Sequence, residues 1–359
     1  VTDVAKSAYA AAGVDIEAGD RAVQLMKSSV KRTERSEVIG GIGGFAGLFD
    51  ASKIARYHHP VLATSTDGVG TKVAIAQAMD IHDTIGFDLM GMLVDDLVVT
   101  GAEPLWVTDY IACGKVVPER IASIVKGIAD ACVVAGCSLL GGEVAEHPGL
   151  LEPDEYDVAG ATTGVVEHDA MLGPDRVRPG DVAIAMASSG LHSNGYSLVR
   201  KVLLADAGWT LDREVPELGR TLGAELLEPT KVYALDALAL IEAHGVHAMS
   251  HITGGGLANN LARVVPAGIT VTIDRASWQP PAIFGLVAEV GGVSRADVEA
   301  TLNQGVGMIA LLPADEADAA IELLRSRGVR SWICGEATAS GDAVEPGEQG
   351  TVELVGDHS

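Results

Sequence analysis

A two-domain α/β protein with mixed α+β layers is what this sequence predicts, and three observations carry the prediction. Short apolar runs alternate with stretches of helical periodicity over most of the 359 residues. A chain of that length favours two buried cores over one. Between two strand-like runs, MLGPDRVRPGD (residues 171–181) gathers proline, glycine and charge, which sets the expected boundary: 1–172 for a first domain and 173–359 for a second.

The first predicted element is a helix around Ile16 to Lys27, ahead of the glycine cluster GGIGGFAG at 40–47. PVLATST reads as a short buried strand ending at Asp67. HDTIGFDLMGMLVDDLVV has apolar residues spaced three and four apart and reads as a helix. On it Asp88 and Asp95 share a face, and Asp96 stands about 100° further round. LWVTDYIACG is a strand, PERIASIVKGIADACVVAG a helix with Pro118 in its first turn, CSLLGGE a strand running into a glycine turn, and DVAGATTGVVE a further strand. Beyond the boundary, DVAIAMASS, HAMSHIT, ITVTI, GVGMIALLP and SWICGEA are strands. NGYSLVRKVLLADAG, KVYALDALALIEAHG, LANNLARVV, the stretch from about Pro281, and DEADAAIELLRSRG are helices between them.

Aromatic residues are only 4% of the chain, so Ala, Val, Leu and Ile must fill the cores, and 43 glycines imply many tight turns. Twenty-five basic residues against 49 acidic ones give a formal charge of -24, which excludes general attraction to a nucleic-acid backbone. An anionic ligand would need local help from a cation, a metal or helix N-termini. VTDVAKSAYAAAG lacks the basic start and apolar core of a secretory signal, and no apolar run is long enough to span a membrane, so a cytoplasmic protein is expected. Cys113, Cys132, Cys137 and Cys334 show no CxxC spacing and no histidines set out to complete a zinc site; buried free thiols are expected.

Several stretches carry candidate chemistry. TSTDGVGTK (64–72) is not a Walker A loop, because Thr71 separates Gly70 from Lys72. It fits either a tight turn or a phosphate site in which Asp67 holds a divalent ion, Gly68 and Gly70 bring amides to phosphate oxygens, and Lys72 adds a charge. GIGGFA (41–46) fits the GxGxxA fingerprint formally, yet only a weak strand precedes it and no acid follows at the ribose-binding distance. A glycine-rich cover over a ligand, or a tight connection, suits it instead. Asp95 and Asp96 late in an apolar helix, with Asp67 and with Glu143 in LLGGEVAEHPG, could hold Mg2+ against ATP phosphates; the alternative is a helix corner reaching solvent. SSGLHSNGYSL (188–198) and HITGGG (251–256) each place polar groups between a strand and a helix, for anion capture or for capping by Ser193 or Asn194. No GxSxG elbow signals serine hydrolysis.

Across nearly its whole length the chain resembles the phosphoribosylformylglycinamidine cyclo-ligase (AIR synthetase) family. The resemblance rests on GGIGGFAGLF, TSTDGVGTK, DTIGFDLMGMLVDDLVVTGAEP, CSLLGGEVAEHPG, YDVAGATTGVV, SSGLHSNGYSLVRK, HITGGGLANNLARVVP and NQGVGMIALLP in the family's order. It implies an AIR-synthetase-like fold and a homodimer whose N-terminal domains pair their sheets into a barrel-like core. The implied reaction converts ATP and formylglycinamidine ribonucleotide to aminoimidazole ribonucleotide, ADP and phosphate in purine biosynthesis. The implied ATP side comprises the loop 40–47 with Gly41, Gly43 and Gly44, then Gly68, Gly70, Thr71 and Lys72. Asp67, Asp95, Asp96 and Glu143 are the implied metal and phosphate-organising acids, with ATP and Mg2+ as cofactors. Some members carry Asn where this chain has Asp95, so Asp96 is expected to be the essential acid of that pair. Ser193, Asn194 and Thr253 are implied on the substrate side, and His192 or His251 as the group that moves a proton.

Overall fold

The computed structural model describes residues 14–340 and 349–358. The N-terminal stretch read above for a secretory signal lies outside them. Among the described residues no helix is long and apolar enough to cross a membrane, and all four cysteines are buried free thiols.

The first half opens with helix α1 (Ile16–Lys31), which Asp15 caps by accepting from the Ala18 amide. After a short antiparallel pairing of Val38–Ile39 with Leu48–Phe49, four longer strands follow: β1 (Pro60–Gly68), β2 (Glu103–Cys113), β3 (Ser138–Glu146) and β4 (Tyr156–Glu167). They form one sheet in the order β1-β4-β2-β3, antiparallel except for the parallel β2/β3 pair. Two helices pack on one face. Helix α2 spans residues 85–98 and contains a π-helical turn over Gly91–Asp95. Helix α3 (Pro118–Ala135) starts on the expected proline and ends at Gly136 in the left-handed conformation. The two helices meet at glycines: a Cβ on Gly86 would stand 2.1 Å from the Gly127 carbonyl carbon.

Two expectations change here. Strand β1 is not buried on both faces; Leu62, Thr64 and Thr66 are exposed while Val61, Ala63 and Ser65 are half-buried, so one face of the sheet is open at this edge. CSLLGGE does not end in a turn, because β3 runs on through Gly141 and Gly142 to Glu146.

The second half holds a six-stranded sheet. Its strands are β5 (Asp181–Ala187), β6 (Ala248–His251), β7 (Ile269–Asp274), β8 (Val306–Pro313), β9 (Ser331–Ala339) and β10 (Thr351–Val355), in the order β6-β8-β5-β9-β7-β10. Strand β8 is buried almost throughout, as a central strand covered on both faces must be. Helices Ala234–Ala243, Gly256–Ala262, Ala282–Gly291 and Ala317–Ser326 flank the sheet. One apolar cluster runs from the α2/α3 layer into this half through Tyr233, Ala234 and Ala237, so the halves share a packed boundary.

Candidate functional site

At that boundary the end of β1, the middle of α2 and the end of β6 converge. Asp67 is the penultimate residue of β1, Asp96 follows the π turn of α2, and His251 ends β6. His251 Nδ1 donates to Asp96 Oδ1 at 2.8 Å, which leaves Nε2 as the acceptor nitrogen; it is buried and has no partner. Burial pushes the Asp67 carboxyl above the usual carboxylate range, and Asp96 adds to this while the Gly68 amide and His251 oppose it. Asn194 reaches the same place, accepting from the Gly254 amide at 3.0 Å.

Helical phase explains why neighbouring acids part company. Asp88 and Asp95 both point inward and are fully buried. Asp95 Oδ1 accepts from the Tyr233 amide at 2.9 Å, its other oxygen has no partner, and burial pushes its carboxyl up to about 7. Asp96, one residue on, turns to His251 with 39% of its side chain exposed. Its place in the cleft favours it over Asp95 as the ligand-facing acid.

Other expected ligand residues are occupied in joining the two halves. Lys72 is 0% exposed, and its Nζ donates to Asp88 Oδ1 (2.7 Å), the His192 carbonyl (3.0 Å) and the Glu228 carbonyl (2.6 Å). Those three acceptors use all three ammonium donors, so Lys72 stands here as an internal strut rather than at an open phosphate position. His192 is likewise enclosed. Its ring packs beside Tyr233 and over Gly307, where a Cβ would stand 2.8 Å from the ring. Nε2 accepts from the Ser189 amide at 3.1 Å, and burial holds the imidazole well below its ordinary pKa, hence neutral. Ser193 donates to the Val69 carbonyl at 2.6 Å rather than capping a helix, and the cap is Gly195. Thr71 meets Ser197 at 3.2 Å, and Thr253 donates to Asn260 at 3.1 Å.

A cavity of about 380 Å³ lies at the opposite edge of the first sheet, between α1, α3 and β3, beneath residues 41–47. Gly41, Gly43, Gly44 and Glu143 line it together with Asp109. Glu143 therefore stands apart from Asp67. Among the described residues no three His, Cys, Asp or Glu side chains converge to hold an ion.

The N-terminal domain of the AIR synthase related proteins matches residues 50–166, and their C-terminal domain matches residues 178–345. A phosphoribosylformylglycinamidine cyclo-ligase of Shouchella clausii is 52% identical over 332 residues, 92% of this chain and 96% of the relative. This chain belongs to the phosphoribosylformylglycinamidine cyclo-ligase family. A cyclo-ligase of Desulfitobacterium hafniense is 47% identical over 94% of this chain and 98% of its own. Among solved structures, thiamine-monophosphate kinase from Stenotrophomonas maltophilia has a TM-score of 0.66 at 19% identity, covering 93% of this chain and 96% of that one. Hydrogenase maturation protein HypE of E. coli has a TM-score of 0.62 at 17% identity over 93% and 98%. Both share the mixed α/β fold.

Within this cyclo-ligase the cleft group is Asp67, Asp96, His251 and Asn194, and the cavity group is the glycine loop with Glu143. Asp109 escaped the sequence reading because it sits mid-strand in LWVTDYIACG with no glycine or turn beside it. A charged residue at an inward position of a buried strand, between Val107 and Ile111, is the signal that could have found it.

Proposed function

We propose that this chain catalyses the ATP-dependent ring closure of formylglycinamidine ribonucleotide to aminoimidazole ribonucleotide, with release of ADP and phosphate. Identity of 52% to a cyclo-ligase across nearly the full length of both chains carries the reading. An amide-like formyl oxygen is a poor leaving group. Transfer of the terminal phosphoryl group onto it forms an iminophosphate and ADP; the amidine nitrogen then attacks the formyl carbon, and phosphate leaves with the oxygen. Positioning and charge stabilisation supply most of the acceleration in such a reaction.

His251 is the residue of this chain suited to accept the proton of the attacking nitrogen. Asp96 fixes its Nδ1–H, so the buried Nε2 keeps its lone pair free of any competing partner. Asn194 and Thr253 border it and face the substrate, while Gly68 and Gly70 leave the backbone after Asp67 open to phosphate oxygens. Mg2+ commonly takes one or two carboxylates together with substrate phosphates, and the donor set here fits that pattern: Asp67 and Asp96 would hold it. Its chemistry would be to offset phosphate charge in a protein of formal charge -24. The glycine loop and its cavity take the nucleoside end of ATP. A second copy of the chain covers the open face of the first sheet, where Leu62 is 60% and Tyr110 41% exposed. The two cores correspond to domains of residues 1–172 and 173–359, and the enzyme works in the cytoplasm.

The test is a coupled assay with Mg-ATP and formylglycinamidine ribonucleotide that follows aminoimidazole ribonucleotide and ADP together. Formation of both in equal amounts is expected. A folded, ATP-binding sample that releases neither refutes the reading.

A further inference from the structure

Asp109 has no role in the chemistry above, yet the sheet is built around its carboxyl group. A row of paired residues crosses the four strands from Asp67 to Gly160, Asp109 and Gly142. Directly paired residues share a face, so all four lie on the helix-covered side. Asp109 is two strands from Asp67, roughly 10 Å at the usual strand spacing. Its carboxylate lies over Gly142: a Cβ there would stand 1.9 Å from Asp109 Oδ1. Glycine at 142 is the condition for that placement.

The surroundings define what the carboxyl can bind. Val23 and Met26 of α1, Val125 of α3 and Leu139 of β3 form apolar walls, and the glycine loop lies across the cavity. Among the described residues no basic side chain pairs with Asp109 and no second acid perturbs it; burial alone pushes it up to about 7. The Cys132 thiol of α3, which Cys137 and burial keep protonated, is within electrostatic reach of Asp109, and Glu143 lines the same cavity. Still, no acid perturbs Asp109, and a carboxyl so placed suits hydrogen bonding to a neutral ligand rather than metal chelation. In its neutral form it offers one O–H donor and one C=O acceptor side by side. Adenine presents the complementary pair, the N1 acceptor beside the N6 amino donor. Guanine presents two adjacent donors, N1–H and the N2 amino group, which match an ionised carboxylate instead.

We propose that Asp109 is the base-selecting residue of the nucleotide cavity, its carboxyl seated over Gly142 and paired with the donor–acceptor edge of adenine. The assignment rests on the reading that this enzyme uses ATP. Asparagine reproduces the neutral carboxyl, with N–H for O–H, and leucine removes both groups at similar size.

Calorimetric titration of ATP and of GTP into the wild-type protein, Asp109→Asn, Asp109→Leu and Gly142→Ala tests it. The wild type is expected to favour ATP at least tenfold. Asp109→Asn keeps that preference, whereas Asp109→Leu weakens ATP at least tenfold and leaves GTP little changed. Gly142→Ala displaces the carboxyl and mimics the leucine variant, which keeps the test decisive if Asp109→Leu does not fold. Equal affinity of the wild type for ATP and GTP overturns the proposal. So does a folded leucine or alanine variant with wild-type selectivity, or an asparagine variant as impaired as leucine. The ring-closure assay is scored separately: ATP selectivity without product formation defeats the functional reading and leaves the assignment of Asp109 standing.

Discussion

Lys72→Met separates a strut from a phosphate ligand. The substitution keeps the aliphatic stem and removes an ammonium that joins three acceptors from three segments. Asp88 would keep its bonds from the Thr230 amide (3.0 Å) and hydroxyl (2.6 Å) but lose its counter-charge in a fully buried site. Removing one partner of a buried ion pair costs about 3–5 kcal/mol. The two abandoned carbonyls add about 1 kcal/mol each. With roughly 2–4 °C of Tm per kcal/mol in domains of 150–250 residues, melting should fall by about 10 °C or more. Thermal unfolding followed by circular dichroism, with and without ATP, reads this directly. The double variant Lys72→Met/Asp88→Asn should recover part of the loss, because it removes the stranded charge. A single variant that melts within about 2 °C of wild type yet no longer binds ATP would overturn the strut role and return Lys72 to the phosphates.

Asp96→Asn leaves His251 without its anionic partner; ring closure should drop about 100-fold or more while the melting temperature stays near wild type, and equal loss of both would mark the pair as structural. Gly86→Ala drives a Cβ to 2.1 Å from the Gly127 backbone, and with no flexible side chain to move aside it should cost about 3 kcal/mol in urea denaturation; an unchanged midpoint would show that α2 and α3 separate freely. The raised Asp109 carboxyl binds its proton more tightly folded than unfolded, so its contribution to stability falls as pH rises from about 4 to its folded-state value of about 7, and is level above that. Asp109→Asn should therefore gain stability relative to wild type across that window, measured as urea midpoints between pH 4.5 and 8; parallel profiles would contradict the shift.

Elements and family were both legible in the residues alone. Periodicity placed α2, α3 and the main strands, since amphipathic spacing and end signals are local; Pro118 at the start of α3 and Gly136 at its end are examples. Ordered motifs along most of the chain brought out the cyclo-ligase resemblance. What the motifs could not reveal is which of their polar residues face a ligand. Lys72 and His192 carry the marks of a site in TSTDGVGTK and SSGLHSNGYSL, yet they meet each other's segments across the boundary between the halves. Asp95 and Asp96 are adjacent in sequence and opposite in fate, because one residue of helical phase puts the first against the Tyr233 amide and the second against His251. Asp109 acquires its cavity from α1, α3 and the glycine loop, none of which lies beside it in the chain. Burial and partner identity arise from contacts among residues far apart in sequence, so the packing of the folded chain sets which acids open to the cleft and which hold the two halves together.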